Sequence, residues 1–180
     1  MKCQFCDEQA TYHISLYRQR VLVGEAHTCP IHGEELLQRE HPVAVGEPFR
    51  ERDEVYFDVE KIVISELHDQ QLIVLQEVGG LARLPLVAGI YEATSLDRKL
   101  RGVPSPRPLT HDVIVQSITA LGGVVQDVLF NDLRDFTYYA KVRIQHRSGL
   151  VELDVRPSDA LNVAVIAGVP VFIAERILGV

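Results

Sequence analysis

The chain has 180 residues, of which 47% are apolar and 24% charged, and a formal net charge of −7. That size and balance suit one main soluble domain with a sizeable core plus a small appendage. The acidic excess argues against broad electrostatic attraction to DNA or RNA, because Lys and Arg supply most affinity for phosphate; such a role needs a local basic patch or metal ions.

No apolar run approaches a membrane span, and Lys2 is followed at once by Cys3-Gln4-Phe5-Cys6-Asp7, not by the apolar core of a secretion signal. Three cysteines, all near the N-terminus, fit a reducing compartment better than a disulfide framework, so a cytoplasmic protein is expected. Cys3-Gln-Phe-Cys6 and Cys29-Pro-Ile-His32 form two ligand pairs separated by 22 residues. Thiolate and imidazole at this spacing suit tetrahedral zinc, and a segment so short has too little core to fold alone. Cys3, Cys6, Cys29 and His32 are therefore the expected ligands of a structural zinc, with His13 and His27 as competitors. Between the pairs, Thr11 to Tyr17 and Val21 to Ala26 read as strands with a turn at Arg18-Gln19-Arg20. Residues 1–36 make a zinc-ribbon-like module, similar to the zinc modules that begin some bacterial Clp-system kinase activators.

Gly33 to His41 can form a short helix, and prolines, a glycine and charges without periodicity make 37–54 a linker. The main domain, 55–180, opens with a meander: Val55 to Ile64, bulged near Glu60-Lys61, then Leu72 to Gln76, then Leu81 to Leu86. A helix follows from Gly89 to about Leu100, with Glu92-Ala93 in its first turn. Gly102 to Pro108 carries three alternating prolines and is an extended segment holding Arg107. Thr110 is the expected N-cap of the next helix, with His111 and Asp112 in its first turn and Ile114, Ile118 and Leu121 as its buried stripe. Val124 to Phe130, Thr137 to Gln145 and Leu150 to Val155 are strands, the first two joined by Asn131 to Phe136. Arg156-Pro157 stops the last strand, Ser158 is the expected cap of a small-residue helix with Asp159 in its first turn, and Gly168 ends it. Val171 to Ile173 returns as a buried strand. The whole is α+β: a mixed, mostly antiparallel sheet with a few packed helices, preceded by a small zinc-binding β-hairpin module.

Arg107-Pro108-Leu109-Thr110-His111-Asp112, followed by Asp154-x-Arg156-Pro157-Ser158-Asp159-Ala160 and preceded by Gly89-x-x-Glu92-Ala93, resembles the bifunctional nuclease domain family. The likeness spans roughly residues 55 to 175. It implies an α+β domain that tends to form homodimers, and a nuclease cleaving both DNA and RNA.

A nuclease needs a water activated near phosphorus and charge neutralised on the departing oxygen; carboxylates holding Mg²⁺ or Mn²⁺ do both. Asp154, Asp159, Asp112 and Glu92 are the carboxylates at turns, and His111 is a candidate acid or base. Arg107 and Arg156 can clamp phosphate, with Ser158 and Thr110 beside them. The plainer reading makes Thr110 and Ser158 caps and pairs the arginines with Asp112 and Asp154. Phe136, Tyr138 and Tyr139 offer base-stacking faces, although alternation sends one tyrosine of the pair inward. Two functions follow: a metal-assisted phosphodiesterase, or a non-catalytic dimeric module whose zinc knob docks a protein partner. Under the first, the two Arg-Pro turns should meet in one polar pocket.

Overall fold

The computed structural model describes residues 1–38 and 53–179. Strand β1 (Tyr12–Arg18) forms a hairpin with β2 (Val21–Thr28), and α1 (Pro30–Gln38) follows. Gln19 and Arg20, at φ 48° and 62°, make the tight turn. Most of the expected linker lies outside the described residues. Strands β3 (Glu54–Ser65), β4 (Gln70–Glu77) and β5 (Arg83–Gly89) make the antiparallel meander, with the bulge between Val59 and Lys61.

Helix α2 (Ile90–Leu100) leads through the proline segment to α3 (Thr110–Ala120). Strands β6 (Val124–Arg134), β7 (Thr137–His146) and β8 (Gly149–Val155) pair antiparallel in turn. Helix α4 (Pro157–Ala167) then returns the chain to β9 (Val171–Ala174), and a 3-10 turn follows at Glu175–Ile177. Among the described residues the strands form one nine-stranded sheet, whose main path runs β2-β1-β3-β9-β6-β7-β8. Among the described strands only β6 and β9 run parallel.

Strand β3 organises this arrangement. β4 pairs along Phe57 to Val63, β9 along Glu54 to Phe57 and β1 along Lys61 to Ser65. A strand has two edges and β4 overlaps both other registers, so β9 and β1 share the edge opposite β4. The N-terminal hairpin therefore continues the sheet of the main domain. Phe57, Ile62, Ile73, Leu75, Leu96, Phe130, Leu161 and Ile173 are fully buried between sheet and helices. Helix α4 packs on α2, α3, β5, β6 and β7, and its small residues Ala160 and Ala164 permit that close approach.

The expected α+β architecture, mostly antiparallel, is present. Three local expectations change. The β6–β7 connection is a two-residue turn at Asp135 and Phe136, both left-handed, where the sequence suggested a six-residue loop. Leu109 and Arg156, not Thr110 and Ser158, hold the N-cap positions of α3 and α4. For α4 the reason is Pro157, whose fixed φ and missing N–H suit the first helical position. The stripe of α3 is also different: Val115 and Ile118 pack on the core, while Ile114 is exposed and Leu121 is 79% exposed. Strand β5 covers β4 along Leu72 to Leu75. No helix among the described residues is long and apolar enough to cross a membrane.

Candidate functional site

Helices α2 and α4 begin alike, each from an extended residue at the end of a strand, and each carries an acid at the third helical position, Glu92 and Asp159. The following alanines, Ala93 and Ala160, are fully buried and bring the two helix starts close to the sheet. Arg156 lies between the acids. Its Nη2 donates to Glu92 Oε1 at 2.7 Å, and its Nε donates to Asp159 Oδ2 at 2.7 Å. A second contact from Nη2 to Asp159 Oδ1, at 3.1 Å, completes a forked pair. Nη1 makes no hydrogen bond among the described residues, and the Arg156 side chain is 67% exposed.

From α3, His111 Nε2 meets Asp159 Oδ1 at 3.0 Å. Burial pushes the Asp159 carboxyl up, but hydrogen bonds from Arg156 and His111 outweigh it and hold it below the usual carboxylate range. Hydrogen bonds to Asp159 above all, and next to Glu92, keep the Arg156 guanidinium firmly charged. Asn162, one turn into α4, donates to the Glu92 backbone carbonyl at 3.0 Å and to Ser158 O at 2.9 Å, tying α2 to α4. Gly89 leaves room for the Glu92 carboxylate: a Cβ there would lie 2.5 Å from Oε2. Tyr91, between Gly89 and Glu92 in sequence, is 85% exposed.

The two Arg-Pro turns thus meet, through His111 and Asp159. They do not form the single pocket expected. Arg107 opens instead on a neighbouring cavity of about 430 Å³ between the end of α2, the proline segment and the start of α3. Arg98, Lys99, Ser95 and Ile166 also line it, whereas Arg156 does not. Asp112 is committed elsewhere: Oδ1 takes Lys99 Nζ at 3.1 Å, and Oδ2 accepts the Leu109 N–H at 3.0 Å as a helix cap. Thr110 is exposed at the first helical position and Ser158 is buried at the second. Asp154 lies on exposed β8 opposite Lys141, without a hydrogen bond or ion pair to Arg156. Glu92, Asp159, Arg156 and His111 are therefore brought together, and Asp154, Asp112 and Arg107 stand outside that cluster.

Sequence reasoning missed Tyr91, Arg98, Lys99 and Asn162. Arg98 and Lys99 sit in the last turn of α2, where cations routinely complement a helix dipole, so their type and position alone carried no distinct signal. Phe136 is fully exposed at the β6–β7 tip, and Tyr138 is partly buried against the core.

Do the carboxylates suit Mg²⁺ or Mn²⁺? Among the described residues, no three carboxylate or imidazole ligand atoms gather here as they do at the N-terminus, and Arg156 occupies the place between Glu92 and Asp159 that a cation would take. The donor set is incomplete for an all-protein divalent site.

The N-terminal ligands do gather. Cys3, Cys6, Cys29 and His32 place one ligand atom each within 4.8 Å of the others. Cys6 Sγ and Cys29 Sγ are 3.7 Å apart, and Cys3 Sγ lies 3.6 Å from His32 Nδ1. A zinc tetrahedron with sulfur and nitrogen ligands has edges of about 3.6–3.8 Å. Cys29 Sγ to His32 Nδ1, at 3.2 Å, is a shorter edge, and the four-ligand cluster as a whole is compatible with zinc. His13 and His27 belong to a separate group with Glu25, their Nδ1 atoms 3.3 Å apart. Arg101 approaches His13 Nε2 at 3.0 Å and Glu25 Oε1 at 2.6 Å, joining the hairpin to α2.

Comparison with known proteins agrees with this picture. An uncharacterized protein of Mycobacterium tuberculosis is 34% identical over 117 residues, which cover 65% of this chain and 70% of that protein. Bifunctional nuclease 1 of Oryza sativa subsp. indica is 27% identical over 109 residues, 59% of this chain and 33% of its own length. Bifunctional nuclease 2 of Oryza sativa subsp. japonica is 30% identical over 112 residues, 60% of this chain and 34% of the rice protein. The chain thus spans about a third of the length of the rice nucleases that it matches. The description of the bifunctional nuclease domain matches residues 73–180, so it takes in β5 to β9, the whole Glu92–Arg156–Asp159 cluster and the neighbouring cavity. By that match, over more than half of its length, the chain belongs to the bifunctional nuclease domain family.

Proposed function

We propose that this chain is a phosphodiesterase acting on single strands of DNA and RNA, with Glu92, Arg156 and Asp159 as its chemical centre. The observation that carries the reading is Arg156, an exposed guanidinium with a free edge, fixed between two acids at two helix starts. Arg156 would receive the phosphate on Nη1 and neutralise charge that develops on its oxygens. Asp159 holds the guanidinium in plane, and His111, only 9% exposed, holds Asp159. Glu92 keeps Oε2 without a partner among the described residues, which suits it to take a proton from the attacking water. A divalent ion would supply further charge neutralisation if substrate oxygens completed its ligand set.

Zinc at Cys3, Cys6, Cys29 and His32 is structural in this reading, because four protein ligands leave no open position. Residues 1–36 then form the zinc module and 55–180 the nuclease domain, in a cytoplasmic protein. We further infer a homodimer through β8, an edge strand whose Leu150, Val151 and Leu153 are exposed.

The test is direct. EDTA-stripped protein is incubated with single-stranded RNA and DNA, with and without Mg²⁺ or Mn²⁺. Cleavage in any arm that scales with protein through purification supports the proposal; intact strands in every arm contradict it. The second reading, a non-catalytic module that docks a protein through its zinc knob, is favoured by one observation: Arg156 is already paired inside the protein. It would gain from intact strands.

A further inference from the structure

The cavity beside the cluster carries charge that the proposed chemistry does not use. Its lining includes three cations, Arg98, Lys99 and Arg107, against one acid, Asp112. That is an excess of positive charge in a chain whose total is −7. Asp112 is spent on Lys99 and on the Leu109 N–H. The two arginines are left almost unneutralised. Arg98 reaches only the Pro104 carbonyl, at 3.4 Å, and Arg107 has no hydrogen bond or ion pair among the described residues.

The end of α2 should repel an anion through its free carbonyls, but three carbonyls of its last turn are covered. Asp97 O accepts from Arg101 N at 2.9 Å, Lys99 O from Gly102 N at 3.1 Å and Arg98 O from Val103 N at 2.9 Å. Gly102, at φ +66°, makes this wrap possible. Pro104, Pro106 and Pro108 stiffen the opposite wall, so little ordering is needed when a ligand arrives. Two exposed guanidinium groups on a stiff wall suit an oxygen-rich anion, which each can bind through paired N–H groups.

The position relative to Glu92 selects the anion. Lys99 is seven residues further along α2, so the cavity lies about 10 Å from the chemical centre along the helix. A single nucleic-acid strand can cross both. We propose that Arg98, Lys99 and Arg107 form a subsite for a backbone phosphate of a single strand, near the bond held at Glu92 and Arg156. This rests on the phosphodiesterase reading above. It also places the basic patch that an acidic chain needs to hold nucleic acid.

The experiment measures fluorescence anisotropy of a labelled, phosphorothioate oligothymidylate at several salt concentrations. It compares the full-length protein with Arg98→Gln/Arg107→Gln and with Arg147→Gln, an exposed arginine elsewhere. The double variant should bind at least about tenfold more weakly, and its log-affinity against log-salt slope should be shallower by about 1.4, two contacts at 0.7 each. The Arg147→Gln protein should match the wild type. Unchanged affinity and slope in the double variant would overturn the subsite, as would an equal loss in Arg147→Gln or no binding by the wild type. Circular dichroism of each variant, expected to match the wild type, assigns a loss to the site; a lost fold is replaced by the single Arg107→Gln variant, judged by half the slope change. Cleavage of ordinary oligothymidylate is scored separately. Binding without cleavage removes the hydrolytic reading and keeps the subsite; cleavage with an unaffected double variant does the reverse.

Discussion

At Gly89 the absence of a side chain determines where a carboxylate can sit. A Cβ would come within 2.5 Å of Glu92 Oε2, so Gly89→Ala should displace that carboxylate and lower cleavage while Arg156 and Asp159 remain paired. A Gly89→Ala protein as active as the wild type would contradict the role given to Glu92. Tyr91, exposed on the same helix start, should stack a base; Tyr91→Ala should weaken single-strand binding by about 1–3 kcal/mol in titration, and an unchanged affinity would count against it. The Asp159 carboxyl is held below its ordinary value of 3.8, so it stabilises the fold above that pH. The contribution should fade as pH falls from 3.8 through the lower folded value, and Asp159→Asn should flatten this part of the acid-unfolding curve. A variant with the same acid limb as the wild type would contradict the pairing. Glu92, Asp159, Arg156 and His111 could be named from sequence because they sit at strand ends and helix starts. Their partners could not. Arg156 was open to Asp154, two residues before it, but a strand end and a helix start turn it to Asp159, three residues on, and to Glu92 from a distant helix.

At the scale of elements, the N-terminal hairpin is fastened to α2 by a buried contact. Tyr17 Oη donates to Asp97 Oδ1 at 2.7 Å, and burial together with that carboxylate pushes the phenol well above its usual range. Tyr17→Phe removes the donor from a buried acid and should cost about 1–3 kcal/mol in urea unfolding; a variant of wild-type stability would refute this. The strands of the meander were legible from alternation, and the bulge of β3 from the charges Glu60-Lys61 in an apolar run. Helix α3 was misread because Ile114 and Leu121 follow helical spacing yet face away from the sheet. Periodicity identifies an apolar face without saying what covers it. The β6–β7 turn was misread because Asp135-Phe136 lacks the glycine that usually marks two left-handed residues.

At the scale of the molecule, two strands from distant parts of the chain, β1 and β9, share one edge of β3, a fact no local pattern contains. The gathering of Cys3, Cys6, Cys29 and His32 was legible because their spacing repeats, and Cys29→Ser should abolish the single zinc equivalent that metal analysis is expected to find. Leu153→Lys should convert the proposed dimer to a monomer in light scattering; a wild-type monomer at micromolar concentration would refute the β8 interface. In the proposed function Arg156 and Glu92 together cleave the phosphodiester bond. The measurement for this is the cleavage rate of a single-stranded oligonucleotide under saturating protein, comparing wild type with Arg156→Gln and Glu92→Gln. The wild type should cleave, with a loss of about 10²–10³ in rate for Arg156→Gln and a comparable loss for Glu92→Gln. Variants that fold and cut at the wild-type rate would contradict it.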